Sequence, residues 1–259
     1  MSETSYPPEF VTKLEMQWGV GFLSPGGPEE VREILRDIDV KGKVVLDIGC
    51  GTGGTDIVIA RDLEPERLVG IDIEPFLIDK GRKNIASAEL EKVVDLRLVD
   101  AGPLPFEDQS FDIVFSKDSL IHFEDKATLY REVFRVLRPD GLFAASDWLR
   151  SPDADELEGY NEWRSLTGHS FSMQTAEETK AEMIAAGLEQ VKTRDRNKWY
   201  SKTAAQEVKM MESDEWRSQY VAVFGEEGYA KGLALRIANA RAAACGGLRP
   251  THLHARRGE

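Results

Sequence analysis

Residues 43–54, Lys43-Val44-Val45-Leu46-Asp47-Ile48-Gly49-Cys50-Gly51-Thr52-Gly53-Gly54, set a carboxylate near the end of an apolar run and then break into glycines. A β-branched run bounded by glycine reads as a buried strand, Val44–Ile48. The glycines let the backbone turn sharply and approach a ligand, and the helix that follows offers unpaired N–H groups to an anion. This is the chemistry of a nucleotide-type cofactor loop, and Asp47 adds the charge that an ammonium-bearing zwitterion would need. Gly49, Gly51 and Gly54 also satisfy G-x-G-x-x-G, with Asp72 at about the distance of a ribose-binding acid, so a nicotinamide dehydrogenase stays open at this point. A second reactive group follows in Ser116-Lys117-Asp118-Ser119-Leu120-Ile121-His122. A helical turn there would put Asp118 and His122 on one face beside Ser116. Imidazole titrates in the range suited to moving a proton near neutrality.

Elements must hold these groups together. From residue 43 the β and α signals alternate as in a parallel, doubly wound α/β sheet. Strands are expected at Val44–Ile48, 68–71, 94–99, 111–116, 142–146 and 188–193, and a last one at 251–255. Asp47, Asp72, Asp100 and Ser116 then stand at or near carboxyl strand ends, where open α/β sheets bind ligands. Arg138-Pro139-Asp140-Gly141 reads as a turn, and helices are expected over Lys202–Phe224 and Tyr229–Cys245. Residues 1–42, with Tyr6-Pro7-Pro8 and the turn Gly21–Gly27, read as an N-terminal flap over the cofactor site. Residues 43–150 form the core, and 151–259 form lid helices plus the last two core strands.

The composition narrows the classes. The chain has 259 residues and a formal net charge of −13, which argues against a phosphate-backbone partner and so against nucleic acid. No apolar run approaches the roughly 20 residues of a membrane span, and Met1-Ser2-Glu3-Thr4-Ser5 lacks the order of a signal peptide, so a cytoplasmic protein with no membrane partner is expected. Cys50 and Cys245 have no metal-ligand spacing, and no metal is expected. The oligomeric state is open.

Residues 43–54 resemble motif I of the class I S-adenosyl-L-methionine-dependent methyltransferases, and Leu137-Arg138-Pro139-Asp140-Gly141 resembles the L-R/K-P-G-G turn before their fifth strand. Two stretches resemble the phosphoethanolamine N-methyltransferases. Gly21-Phe22-Leu23-Ser24-Pro25-Gly26-Gly27 is similar to their G-F-x-S-x-G-G, and 116–122 to their S-R-D-x-I/L-I/L-H. The resemblance covers about residues 6–150. It implies a Rossmann-like, seven-stranded class I methyltransferase sheet with a helical lid. It further implies S-adenosyl-L-methionine as cofactor, its methionine end on Asp47, Gly49, Cys50 and Gly51, its ribose on Asp72, and its adenine edge on Asp100 and Ala101. Leu23, Ser24, Ile73, Ser116 and His122 complete that set.

The expected reaction moves the sulfonium methyl to the amine of a small molecule, most concretely phosphoethanolamine or its methylated forms. An alkylammonium titrates near the lysine range and must lose a proton before its lone pair can attack. His122 is the candidate base, Asp118 could hold the ammonium, and the resemblance implies a Tyr–His latch from Tyr6. Trp148, Tyr160 and Trp163 could cage a methylated ammonium, and Arg249 could stand in for a family lysine. Where the family has Q-R-x-Y, this chain reads Ser165-Leu166-Thr167-Gly168-His169-Ser170, without arginine. Another small amine, an amino acid or an unrelated acceptor is the alternative substrate. A SAM-binding protein without catalysis is the alternative class, against which His122 and Asp118 speak; Asp47 and the Gly21–Gly27 turn speak against the dehydrogenase.

Overall fold

The structure, a computed structural model, describes residues 6–167 and 171–258; Gly168-His169-Ser170 of the Q-R-x-Y position lie outside the described residues. Two compact units result. The first runs through Asp147 and takes back Thr179–Thr193 and the segment from His252; the second holds Trp148–Glu178 and Arg194–Thr251.

The first unit opens with α1 (Pro8–Trp18) and α2 (Gly27–Leu35) and then alternates β1 (Val44–Ile48), α3 (Gly54–Leu63), β2 (Arg67–Asp72), α4 (Pro75–Ser87), β3 (Val94–Leu98), β4 (Phe111–Lys117), α5 (Lys126–Val136) and β5 (Leu137–Arg150). Later come α6 (Glu158–Thr167), α7 (Ala176–Ala185), β6 (Leu188–Asp195), α8 (Asn197–Met211), α9 (Asp214–Ala244) and β7 (Leu248–Arg257). The seven strands form one sheet in the order β3-β2-β1-β4-β5-β7-β6, with β3-β2, β2-β1, β1-β4 and β4-β5 all parallel. Strand order reverses between β1 and β4, the place where such sheets leave a crevice.

The period of two assigns the faces. Val45, Ile113, Phe115 and Ala144 pack with Val31 and Ile34 of α2, Val58 and Ile59 of α3, and Ile78 and Ile85 of α4. The intervening Phe143 meets Tyr130 of α5 edge-on at 6.1 Å. The second unit has its own core, Tyr160 and Trp163 of α6 against Tyr200 and Ala204 of α8 and Ala238, Ala242 and Ala243 of α9.

Four local expectations change. Arg138–Gly141 is no free turn but lies inside β5, where Phe111 pairs Leu137 and Ile113 pairs Leu142; the extra residues bulge, with Asp140 at φ +63°. β3 ends at Leu98, so Asp100 stands on a loop rather than a strand end. The expected helix over 202–224 begins at Asn197 and is divided at Ser213, whose hydroxyl caps α9 by accepting the Trp216 N–H at 3.3 Å. Asp118 and His122 share no helical face: Asp118 has φ +57°, and only Leu120–His122 form a single 3-10 turn.

The N-terminal segment is tied to the sheet through two glycines. The Gly54 N–H donates to the Gly21 carbonyl at 3.0 Å, and a Cβ on Gly54 would sit 2.4 Å from that oxygen. Gly54→Ala should therefore cost roughly 1–3 kcal/mol by overpacking and loosen residues 19–27. Gly42→Ala, at φ +69° with open space around its Cβ, should cost about 1 kcal/mol and leave that turn untouched. Urea denaturation and limited proteolysis separate the two, and equal protection of the turn in both variants would remove the close approach as its anchor.

Candidate active site

A cavity of about 570 Å³ opens beside the glycine loop, and all its lining residues belong to the first unit. Gly49 (φ +77°) lies where a Cβ would stand 2.3 Å from Ser119 Oγ, so only glycine lets the loop pass. The Gly49 and Cys50 N–H groups both donate to the Ile71 carbonyl, at 2.8 and 3.0 Å, which fixes the loop to β2. Asp72 closes the corner: Oδ2 accepts from the Gly51 N–H and Oδ1 from the Glu74 N–H, each at 3.0 Å. Burial pushes the Asp72 carboxyl up, while these N–H donors pull it the other way.

Asp47 stands behind this wall. It is 1% exposed and its Oδ1 has no hydrogen-bond partner. Burial raises its carboxyl well above the ordinary range, Asp56 and Asp72 add to the rise, and Lys117 opposes it. Ser116 is also behind the wall, its hydroxyl donating to the Ile48 carbonyl at 2.7 Å.

The opposite wall carries His122. The Ile121 N–H donates to Asp147 Oδ1 at 2.9 Å, and Lys126 Nζ donates to the Leu120 carbonyl at 2.6 Å and to Asp147 Oδ2 at 3.3 Å. This ion pair is buried and grips the backbone of the turn that presents the exposed imidazole. The Tyr6 hydroxyl lies 3.1 Å from His122 Nε2, with the rings edge-on at 5.9 Å. Burial pushes the Tyr6 phenol up, and Asp72, Asp118 and Glu74 push it further, so it stays protonated. Asp118 receives the Ser146 hydroxyl on Oδ1 and Lys117 Nζ on Oδ2, both at 2.7 Å.

Of the residues expected at the site, Tyr6, Asp118 and His122 line the cavity, as do Leu23 and Ser24 from the turn and Gly49, Cys50 and Gly51 from the loop. Asp72, Ile73, Asp100 and Ala101 line its far end. Trp148, Tyr160 and Trp163 do not; they pack within the second unit, Trp148 edge-on to Tyr200 at 4.8 Å and Tyr160 against Trp163 at 5.5 Å. Arg249 pairs with Asp195 at 2.9 Å in that unit. Sequence reasoning passed over Lys117, whose cue was a cation directly before Asp118. It also passed over Glu132 and Arg135 of α5, which pin the cavity loop through the Leu104 N–H (2.8 Å) and the Leu104 and Phe106 carbonyls (2.9 and 2.7 Å).

Comparison with known proteins bears on this geometry. Residues 39–215 match the family model of a methyltransferase domain. A phosphoethanolamine N-methyltransferase of Triticum aestivum is 31% identical over 219 residues, covering 83% of this chain and 41% of the relative. The chain thus spans less than half the length of that curated relative. Two solved structures of the Haemonchus contortus phosphoethanolamine N-methyltransferase 2 are similar in fold. The one in complex with S-adenosyl-L-methionine has a TM-score of 0.88 at 21% identity, covering 99% of this chain and 59% of that one. The other, with phosphomonomethylethanolamine and S-adenosylhomocysteine, has a TM-score of 0.86 at 20% identity, covering 98% and 59%.

Asp56, fully buried beneath the loop, has no hydrogen-bond partner for either side-chain oxygen. Burial pushes its carboxyl from 3.8 up to about 7, with its own nearby backbone N–H opposing and Asp72 adding to the rise. The folded state therefore holds this proton more tightly than the unfolded chain does. Its contribution to stability is greatest below about pH 4 and is lost as pH rises toward 7, by on the order of 4 kcal/mol. The difference in unfolding free energy between wild type and Asp56→Asn should shift in favour of the asparagine across that window. Urea titrations at several pH values check it, and a pH-independent difference would show that Asp56 carries no such proton.

Proposed function

Because the chain belongs to the methyltransferase-domain family, we propose that it transfers a methyl group from S-adenosyl-L-methionine to the amine of a small molecule, most concretely phosphoethanolamine or its methylated forms. The observation that carries this reading is the Tyr6–His122 contact standing on the wall of the same cavity as the glycine loop and Asp72. The names of the wheat and Haemonchus proteins supply the acceptor.

The donor set suits this cofactor. Asp72 lines the cavity with carboxylate lone pairs beyond those its backbone partners occupy, as a ribose diol requires. Asp47, expected at the methionine end, does not line the cavity and would act on a bound cation only from behind its wall. Asp72 would hold the ribose, Asp100 and Ala101 the adenine edge, and Gly49, Cys50 and Gly51 with Leu23 and Ser24 the amino-acid end. When bound, the cofactor supplies an electrophilic methyl on sulfonium. Asp118 orients the acceptor nitrogen, whose proton reaches His122 through the Tyr6 hydroxyl, which passes its own hydrogen to Nε2 and takes the acceptor's in return. The Tyr6 hydroxyl fixes the ring through that same nitrogen; once Nε2 is protonated, the contact reverses and the imidazolium donates to the phenol oxygen. Tyr6 also covers the imidazole against water.

A second reading, an acceptor without phosphate, is favoured by one observation. Lys117 is the one Lys or Arg among the described lining residues, and its ammonium is already engaged by Ser24, Pro25 and Asp118.

Labelled S-adenosyl-L-methionine offered with a panel of phosphobases, free amines and amino acids decides between the two acceptors. Binding of the cofactor without methyl transfer to any of them would leave only the non-catalytic alternative. His122→Ala should lower kcat by about 10²–10⁴-fold, the range of general-base contributions, while cofactor affinity changes far less. Parallel losses in both would remove His122 from the proton transfer.

A further inference from the structure

Lys117 ends β4, and its ammonium is buried, with the side chain 3% exposed. A lysine so placed must be paired, because an unpaired charge in a dry environment is strongly unfavourable. The ammonium has three N–H donors and meets three acceptors: Ser24 Oγ at 2.6 Å, the Pro25 carbonyl at 2.9 Å and Asp118 Oδ2 at 2.7 Å. Two of the three lie more than ninety positions earlier in the chain, in the glycine turn that walls the cavity. The third is the carboxylate placed toward the acceptor. No donor remains for a ligand anion unless one of these contacts is released.

We infer that Lys117 is a positioning residue that straps the Ser24–Pro25 end of the Gly21–Gly27 turn over the cavity and holds the Asp118 carboxylate in its orientation, joining the cofactor wall to the acceptor wall through one ammonium. The turn has other ties at its start: the Gly21 N–H donates to Glu15 Oε1 at 3.0 Å and the Phe22 N–H to the Gly19 carbonyl at 3.0 Å. At Ser24 and Pro25 it is Lys117 that holds the turn, through its ammonium. Loss of the ammonium frees that end of the turn, and it also leaves Asp118 with the Ser146 hydroxyl as its remaining side-chain donor. The inference rests on the proposed methyl transfer only for its kinetic arm.

Amide hydrogen exchange on the cofactor-free protein tests the strap without any reaction. Lys117→Met should raise exchange about tenfold at Glu30, whose N–H donates to the Gly26 carbonyl beside the strapped residues at 3.2 Å, while the amides of Gly21, β2 and β3 keep wild-type protection, a local opening rather than a global one. Lys117→Arg, which retains charge and several donors, should restore most of the protection. If Lys117→Met fails to fold because Asp118 is left buried and unpaired, the double variant Lys117→Met/Asp118→Asn removes both charges and should show the same local opening. In turnover, Lys117→Met should raise KM for S-adenosyl-L-methionine more than it lowers kcat, with rescue by arginine. Unchanged exchange at Glu30 overturns the inference, and so does a rise confined to the acceptor KM, which would make Lys117 a ligand-binding cation. Wild-type protein that transfers no methyl at all would defeat the proposed reaction and leave the exchange result standing.

Discussion

The approach of Gly21 to Gly54, backbone on backbone, is the contact on which the site depends. It brings residues 6–27 against the loop that follows β1, and neither position has room for a Cβ. A single backbone hydrogen bond contributes only about 1 kcal/mol net. The contact is therefore reinforced by Glu15, whose Oε1 accepts from the Gly21 N–H at 3.0 Å and the Thr52 hydroxyl at 3.3 Å while Oε2 pairs with Lys80 of α4 at 2.9 Å. One carboxylate thus ties α1, the turn, the glycine loop and α4 together. Without that assembly Tyr6 would have no fixed place near His122.

Charge beneath the loop follows the same geometry. Asp47, Asp56 and Asp72 crowd into one region, and each is raised by burial and by at least one carboxylate neighbour. Among the causes acting on Asp47, Lys117 is the one cation, and it sits at the end of the neighbouring β4 with its own partners. Such an arrangement is unfavourable for the empty protein and becomes less so when positive charge enters. The raised carboxyls hold their protons more readily than free ones, and a positive charge entering at the β1–β4 switch point would favour their ionised form.

The core strands and the loop were legible because their signals are local: a period of two, a carboxylate at a strand end and glycine where φ is positive. What escaped was set by contacts distant in sequence. Tyr6 and His122 stand 116 positions apart, and no periodicity reports their 3.1 Å contact; only family resemblance suggested it. The spacing of Asp118 and His122 suggested a shared helical face, but the Asp118 N–H donates to the Ser146 carbonyl at 2.7 Å and its side chain is tied to Ser146 and Lys117, which draws the backbone to positive φ instead. Aromatic residues at 148, 160 and 163 suited a cation cage by type alone. The second unit needed them for its core, where Gly247 lies so close to Tyr160 that a Cβ would come within 2.7 Å.

The Lys126–Asp147 pair shows how an exposed imidazole can still be held in place. Burying two charges, each 1% exposed, costs several kcal/mol per ion, and the pair returns that only in part through mutual attraction. An apolar pair of like volume could serve the core at no such cost. It could not, however, satisfy the Leu120 carbonyl and the Ile121 N–H, the two backbone groups on which the 3-10 turn hangs. The ion pair is better understood as a bracket for that turn than as a source of stability. It fixes the backbone of His122 from the interior and leaves the ring at the surface, where Tyr6 is the partner that can cover or release it.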